Sequence, residues 1–279
     1  MENSGHKVQL TGVPETALWN LYHRASAARS GRLTDPRAIE LVSRVDYPFE
    51  RFDSPYRGLA ARMHAQRVHT IDAALRRMLA DAPGATVIAL GEGFETQFWR
   101  VDDGQLSWLT LDLPEIIAVR REALPGDPRC HMVAGSAADP EWIDQVDPDR
   151  PVILTAQGLL MYFQRDEVHQ MLGAWAQRLP GSSLLFDAVT EIQQTARRRS
   201  PGSGEYHPPE WKWVLTDEEL RQLRQVPGID LASVPQDSSD RTLAIARKIP
   251  VLKNLPPAFP VLRAKLGPRA GLAAGLAAG

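Results

Sequence analysis

The pattern of apolar and polar positions divides the 279 residues of the chain into two regions of different periodicity. Up to about residue 84, apolar side chains recur every three to four positions over residues 14–30 and 56–80, which is typical of amphipathic helices. Between them, Asp35 followed by Pro36 predicts the N-cap and first turn of a short helix. The side of the longer helix that we expect to be buried carries Leu59, Met63, Val68, Ile71, Leu75 and Leu79. Residues 1–84 are therefore predicted to form a helical N-terminal cap.

From Ala85 onwards, short apolar runs alternate with segments of helical pattern, which is typical of a parallel sheet with crossover helices. The runs expected to be strands are 86–90, 107–112, 130–134, 151–157, 183–187 and 241–249. The helices are expected at 95–101, 114–122, 140–144, 165–178 and 216–224. The fold class is thus predicted to be α/β, a Rossmann-like, doubly wound and mostly parallel sheet over residues 85–250.

Two segments interrupt or follow this alternation. Residues 190–215, which include a Pro-, Gly- and His-rich interval at 200–214, are expected to form a lid loop over the sheet. Residues 251–279 are expected to be a C-terminal extension, with its Gly- and Ala-rich end disordered.

Composition and charge narrow the class of protein. The chain is 43% hydrophobic and 24% charged, as ordinary globular proteins are, and its formal net charge of -2 gives no reason to expect nucleic acid or an anionic membrane as a partner. We find neither a membrane-spanning apolar stretch nor a secretory signal, and no Cys/His cluster with zinc spacing around the single Cys130. The expectation is a cytoplasmic protein without a metal site, with a homodimer as one possible assembly.

Candidate ligand contacts follow the predicted strands at one edge of the sheet. Gly91 and Gly93 follow the first strand and allow the backbone to turn sharply and approach a ligand. Thr96 stands where a dinucleotide fingerprint has its third glycine, which argues against NAD. Asp112 ends the next strand, where a carboxylate either accepts hydrogen bonds from ribose hydroxyls or caps the helix that begins near Pro114.

The third and fourth strands add further candidates. Ser136 and Ala137 lie in a turn that either borders an adenine ring or simply caps a helix. The amide of Gln157 could contact adenine or an acceptor, and Tyr162, just past a central strand, is either core packing or part of a pocket wall.

Together these motifs resemble the leucine carboxyl methyltransferase-like family, which includes bacterial O-methyltransferases of polyketide tailoring of the tetracenomycin type. The resemblance extends from Gly12 to Ile249 and rests on residues 21–25, Asp35-Pro36, 57–64, 90–96, Arg100, 101–104, Trp108, 111–114 and 158–162. It implies a class I methyltransferase fold that uses S-adenosylmethionine, releases S-adenosylhomocysteine, and methylates a carboxylate or a phenolic or enolic oxygen of a small molecule in secondary metabolism.

The resemblance also assigns residues to the donor. Arg62 would hold its carboxylate, Gly91 and Gly93 would flank its methionine part, and Asp112 its ribose. The full set expected to contact the donor is Arg62, Gly91, Glu92, Gly93, Asp112, Leu113, Ser136, Ala137, Gln157 and Gly158. Arg24 would line the same region and contact the acceptor.

The chain departs from the family pattern at three positions. Residue 95 is Glu where Asp is usual, residue 92 is Glu where a small residue is common, and Gln157 replaces a frequent Glu. Glu92 could repel the donor's carboxylate or attract its ammonium group. Two alternatives therefore stand beside the methyltransferase: a repurposed fold that binds without methylating, and a nicotinamide-dependent oxidoreductase, against which Thr96 and the Arg62 motif argue.

The catalytic requirements depend on the acceptor. A carboxylic acid is ionised at neutral pH, whereas a phenol, with a pKa of about 10, gains from a base. Tyr162 and His207 are the catalytic candidates, and Tyr206 and Trp211 are expected to contact the acceptor, with Trp213 either beside them or anchoring the loop. The lack of a stronger base favours carboxyl methylation.

Overall fold

The computed structural model describes residues 6–54, 57–147, 149–199, 206–235 and 259–267. Within these ranges the helices are α1 (Val13–Arg29), α2 (Pro36–Arg44), α3 (Arg57–Asp81), α4 (Gln97–Val101), α5 (Pro114–Ala123), α6 (Arg165–Arg178), α7 (Glu191–Arg199) and α8 (Asp217–Leu223). The strands are β1 (His6–Lys7), β2 (Val45–Asp46), β3 (Thr86–Leu90), β4 (Ser107–Asp112), β5 (Cys130–Ala134), β6 (Val152–Ala156), β7 (Ser183–Asp187), β8 (Ile229–Ser233) and β9 (Val261–Leu266). Short 3₁₀ turns lie at Phe49–Phe52, Pro140–Gln145 and Leu160–Tyr162.

The main sheet contains seven of these strands in the order β5-β4-β3-β6-β7-β9-β8. Strands β3 to β7 pair in parallel, and β9 is antiparallel to both of its neighbours. The strand order reverses at β3, because β4 and β5 continue on one side of it and β6 and β7 on the other. Such a reversal leaves a crevice at the carboxyl ends of the central strands. The sheet confirms the predicted α/β, Rossmann-like fold class.

Helices cover both faces of this sheet. On one face, Ile71 and Leu75 of α3 join Val87 and Leu185 of the strands in one buried cluster. On the other face, Leu172 of α6 belongs to a cluster that holds the alternate strand residues. Central strands that are buried on both faces appear in sequence as continuous apolar runs, which is why β3, β4 and β7 match the predicted ranges and β6 lies within its own. The edge strand β5 also matches its predicted range, although none of its residues is buried.

The structure modifies three expectations about segments. Strand β9 lies within the predicted C-terminal extension, yet it is inserted between β7 and β8. Neither β8 nor β9 is predicted by the sequence, and the strand expected at 241–249 falls outside the described residues. The lid loop expected at 190–215 begins as helix α7, so only its later part lacks regular structure where it is described. The role of this segment as a lid stays a prediction.

The N-terminal helices are joined to the sheet directly. Helix α1 packs on α2 and α3, and α3 in turn contacts β7 and β9, so α3 belongs to the layer over the sheet as much as to a cap. The predicted apolar side of α3 is correct except at Leu59, which is 57% exposed. Asp35 caps α2 as expected, because its Oδ1 accepts from the Ala38 backbone N–H at 3.0 Å.

Buried charges hold these helices in place. The guanidinium of Arg100 in α4 contacts Asp35 at 2.8 Å, Asp72 of α3 at 2.7 Å and Glu95 at 2.7 Å. Arg24 of α1 adds contacts to Glu95 at 3.1 Å and to Asp35 at 3.5 Å. No side chain in this group is more than 7% exposed. Burial alone would raise the pKa of Glu95, but Arg100 and Arg24 lower it to about 2.

Replacing Arg100 with methionine tests how much the fold depends on this group. The substitution keeps the volume of the stem but leaves three buried carboxylates with one arginine, so we expect the free energy of unfolding to fall by about 3–5 kcal/mol in urea denaturation. Arg221, which pairs with Glu218 at 2.7 Å on the exposed side of α8, provides the control. Arg221→Ala is expected to cost less than about 1 kcal/mol. Equal small losses would contradict a structural role for the buried group.

Candidate active site

A cavity of about 300 Å³ lies at the carboxyl ends of β3, β4, β5 and β6, where the strand order reverses. We call it the glycine-turn cavity. The expected donor-contacting residues that line it are Gly91, Glu92, Gly93, Asp112, Leu113, Ser136, Ala137, Gln157 and Gly158. The structure therefore brings together every member of that predicted set except Arg62.

The turn after β3 is shaped by backbone conformations that favour glycine. Gly91 and Gly93 both have φ of 57°. The Gly91 N–H donates to the carbonyl of Leu111 at 2.8 Å, which extends the β3–β4 pairing into the turn. A side chain at Gly93 would bring its Cβ within 2.9 Å of the Cβ of Ala17 in α1. The close approach of α1 therefore depends on the absence of a side chain at Gly93.

Asp112 is fixed by two backbone donors. Its Oδ2 accepts from Gly93 N–H at 2.5 Å and its Oδ1 from Leu113 N–H at 2.7 Å. Burial raises the pKa of Asp112, while the two N–H groups oppose that change. Asp112 is not the N-cap of α5, a position held by Leu113. Because each carboxylate oxygen has further acceptor capacity, the oriented group suits a pair of neighbouring hydroxyls such as those of a ribose.

The three departures from the family pattern all have partners within the fold. The Glu92 carboxylate accepts hydrogen bonds from Arg120 at 3.0 Å and from the Thr110 hydroxyl. Burial has the largest effect on the pKa of Glu92 and raises it. Glu95 belongs to the buried charge group around Arg100. The Gln157 amide donates to the side-chain oxygen of Gln97 at 2.5 Å. No position among the three therefore places an unpaired carboxylate in the cavity.

Arg62 and Arg67 of α3 differ in their relation to the two cavities. Arg62 lines neither this cavity nor the second one described below, whereas Arg67, five residues further along α3, lines both. Arg67 donates to Asp187 at 3.2 Å, and Asp187 accepts from the Gly158 N–H at 2.6 Å. At about 100° per residue, five residues turn a side chain by about 140° around the helix. The sequence signal for Arg67 is its place on the buried side of α3, four residues before Ile71.

A second cavity of about 360 Å³ adjoins the first. We call it the aromatic cavity. The residues that line both cavities are Thr16, Asn20, Arg67, Gly158 and Tyr162. The large apolar side chains of the aromatic cavity are Trp19, Phe52, Met63, Met161, Trp211 and Phe259. Its polar wall includes His23 and His64, which the sequence patterns do not indicate because both lie on helices among apolar neighbours.

The remaining candidates divide into those at the cavities and those elsewhere. Tyr162, Tyr206 and Trp211 line the aromatic cavity, as expected of residues near an acceptor. His207 is exposed and lines neither cavity, so its role as a base stays a prediction that the cavity linings do not support. Trp213 is buried and donates to Glu219 at 2.8 Å, so it anchors the loop. Arg24 borders the glycine-turn cavity only, since its guanidinium is engaged by the buried carboxylates.

Within the described residues, no helix is long and apolar enough to cross a membrane. In the same residues, no three or more His, Cys, Asp or Glu side chains are grouped so that they could hold a metal ion.

Sequence comparison identifies the family. The family model for leucine carboxyl methyltransferase matches residues 15–176. The chain is 32% identical over 188 residues to the tetracenomycin polyketide synthesis O-methyltransferase of Streptomyces glaucescens, covering 66% of this chain and 69% of that protein. It is 31% identical over 183 residues to an S-adenosyl-L-methionine-dependent methyltransferase of Gibberella zeae, covering 60% of this chain and 61% of that protein.

Solved structures support the fold. A DUF574 family protein from Streptomyces avermitilis matches with a TM-score of 0.55 and 17% identity, covering 88% of this chain and 99% of that one. The magnesium protoporphyrin IX methyltransferase of Synechocystis with bound S-adenosylhomocysteine matches with a TM-score of 0.50 and 12% identity, covering 76% and 89%. At these identities the likeness concerns the fold alone. The family model and the relative at 32% identity show that the chain belongs to the leucine carboxyl methyltransferase family and is an S-adenosylmethionine-dependent methyltransferase.

Proposed function

We propose that this protein methylates an oxygen atom of a small organic molecule in secondary metabolism, and that the two adjoining cavities hold its two substrates. The observation that carries the proposal is their common boundary. The glycine-turn cavity has the backbone turn and the oriented Asp112 that suit a nucleoside, whereas the aromatic cavity suits a flat apolar body. The boundary residues, Tyr162 among them, are where two bound molecules would meet.

In this proposal the glycine-turn cavity holds S-adenosylmethionine. Asp112 would accept hydrogen bonds from the ribose, the turn at Gly91 and Gly93 would border the methionine part, and Ser136 with Ala137 would border the adenine. We assign the donor's carboxylate to Arg67 rather than Arg62, because Arg67 lines the cavity and a guanidinium both binds and orients a carboxylate. When bound, S-adenosylmethionine supplies a methyl group on a positively charged sulfur.

The acceptor oxygen is the open point of the chemistry. An ionised carboxylate needs no base, so the chain would only have to bind it, orient it and exclude water. A phenol must lose its proton, and the structure supplies proton acceptors that sequence reasoning missed. The rings of His23 and His64 stack in the wall of the aromatic cavity, 5.4 Å between centroids and 14° between planes.

Both histidines are uncharged at neutral pH. Burial is the largest influence on the pKa of both groups. It lowers the pKa of His23 to about 4 and the pKa of His64 well below its usual value. His64 is 1% exposed, and neither of its ring nitrogens has a hydrogen-bond partner in the part of the chain that the structure describes. A neutral imidazole is a weak base at this pKa but accepts a hydrogen bond from a hydroxyl group. Carboxylate methylation is therefore the first candidate, and a hydroxyl oriented by His64 is the second.

Calorimetric titration of the purified chain with S-adenosylmethionine, S-adenosylhomocysteine and NADH tests the donor. We expect micromolar binding of the two sulfur compounds and no binding of NADH, because the turn lacks the third glycine of a dinucleotide fingerprint. Binding of NADH alone would favour the oxidoreductase alternative. The absence of binding by either sulfur compound would contradict the proposal and favour a repurposed fold.

Two glutamine substitutions on α3 separate the candidate arginines. Arg67→Gln removes the guanidinium but keeps a donor for Asp187, and it is expected to weaken S-adenosylhomocysteine binding by about 10- to 100-fold. Arg62→Gln is the matched control and is expected to leave the affinity unchanged. The measurement is calorimetry, with the circular dichroism spectrum as the check of folding. A loss confined to the Arg62 variant would restore the original assignment.

The low pKa of His23 predicts a pH dependence of stability. The folded state disfavours protonation of His23, whereas the unfolded chain takes up this proton below pH about 6.5. The free energy of unfolding therefore decreases as the pH falls from about 6.5 towards 4. The loss attributable to His23 is on the order of 3 kcal/mol. Urea denaturation at pH 7 and pH 4.5 should therefore show a smaller decrease for His23→Phe than for the wild type. His131→Gln, an exposed position on β5, controls for removing a histidine. The same decrease in all three proteins would contradict the prediction.

A further inference from the structure

The charged side chains around the aromatic cavity are of one sign. Arg51, Arg67 and Arg197 line it, and its described lining includes no Asp or Glu. Two of the three arginines contact a carboxylate outside the cavity, since Arg67 lies 3.2 Å from Asp187 and Arg51 lies 3.5 Å from Glu15. The third, Arg197 of α7, makes no ion pair in the part of the chain that the structure describes.

Arg197 is held in place by neutral groups instead. Its guanidinium lies 4.1 Å from the ring centroid of Trp211 and donates to the carbonyl of Pro209. Burial lowers the pKa of Arg197, and the neighbouring Tyr162 and Tyr206 oppose that change. A half-buried guanidinium that is stacked on an aromatic ring keeps its charge and has lost part of its freedom to move. It is therefore preorganised to bind an anion.

Tyr206 adds a second donor beside this arginine. The residue is 5% exposed and packs edge-on against Phe52, with 4.8 Å between ring centroids. Its buried hydroxyl has no hydrogen-bond partner among the described residues, although Tyr206 lines the cavity. Buried hydroxyls are rarely left without a partner, so this group calls for one from a ligand. Because Arg197 and Tyr206 line the same cavity, their guanidinium and hydroxyl donors match the acceptor oxygens of a carboxylate bound there.

We propose that Arg197 and Tyr206 form a docking site for an anionic group of the methyl acceptor. The acceptor is then an organic anion with a flat apolar or aromatic body, which the aromatic cavity encloses. Neither docking residue lines the glycine-turn cavity, so the docked group is distinct from the oxygen that reacts at the boundary beside Tyr162. An oxygen held by a guanidinium is also the poorer nucleophile, because the charge-assisted hydrogen bonds stabilise its lone pairs. The identification of the bound molecule as acceptor rests on the proposed function; the anion site itself does not.

The test compares two probes of nearly the same shape, one with an anionic carboxylate and the other with an uncharged amide. The first, 6-hydroxy-2-naphthoate, has its carboxylate and hydroxyl at opposite ends of a flat aromatic body, and the second is the corresponding uncharged amide. We expect the wild-type chain to bind the anion about 10- to 100-fold more tightly than the amide in calorimetry. Arg197→Gln should remove this preference by weakening the anion alone. Tyr206→Phe should weaken the anion by about 3- to 10-fold.

The neighbouring Arg198 provides the matched control. It is 67% exposed, lies 3.5 Å from Glu210 and does not line the cavity, so Arg198→Gln should leave both affinities unchanged. Equal affinity of the wild type for the two probes, or no measurable binding of the anion, would overturn the proposal. An equal loss for both probes in Arg197→Gln would also overturn it, since that result indicates packing rather than charge recognition.

A separate titration with S-adenosylhomocysteine distinguishes this proposal from the proposed function. Arg197 does not line the glycine-turn cavity, so Arg197→Gln should bind S-adenosylhomocysteine as the wild type does, which also verifies its folding. If the wild type binds the naphthoate in a manner that depends on Arg197 but does not bind S-adenosylhomocysteine, the result would overturn the proposed function alone. If the wild type binds S-adenosylhomocysteine but binds the naphthoate without any dependence on Arg197, the result would overturn the anion site alone.

Discussion

The position of the N-terminal helices depends on the requirement that buried charges be paired. Arg24 and Arg100 face three carboxylates, which leaves the group with a formal charge of minus one, and its side chains come from α1, the start of α2, α3, α4 and the turn after β3. Separating any one of these elements would leave an uncompensated charge away from water, which is far more costly than the loss of a surface pair. The group therefore allows only one way of docking the helices on the sheet.

This docking determines the two cavities. Because α1 is fixed by Arg24, Ala17 lies against the turn at Gly93, and Thr16 and Asn20 form part of the boundary between the cavities. Hydrogen bonds also connect the charge group to the floor of the glycine-turn cavity. Asp72 accepts from Gln97 at 2.8 Å, and Gln97 accepts from Gln157 at the end of β6. The residues that stabilise the fold are thus continuous with those that shape the site.

The same physics explains what could be predicted from the sequence. Strands β3, β4, β6 and β7, the turn at Gly91 and the carboxylate of Asp112 follow from local patterns, because burial on both faces and a sharp turn leave a signature in neighbouring residues. The edge strand β5 has no buried residue and follows from the alternation of short apolar runs with helical segments. Strand β9 is missed because it contains Arg263 and Lys265 and is defined by antiparallel partners far away in the chain. The partners of Glu92 and Glu95 are equally remote. The prediction of Arg62 rather than Arg67 rests on the resemblance alone. It does not use the helical periodicity of α3, which places Arg67 on the buried side.

The distribution of charge suits the proposed reaction. Carboxylates predominate in the buried group beside the glycine-turn cavity, where the proposed donor is a cation, and the only charges around the described aromatic cavity are arginines. Transfer of a methyl group from a sulfonium to an anionic oxygen neutralises both reacting charges. The apolar side chains that line the aromatic cavity weaken the solvation of the acceptor's charge before it reacts. A second anionic group held by Arg197 would keep its charge throughout the reaction. The interaction with Arg197 would therefore be equally strong before and during methyl transfer, and it would serve to position the acceptor.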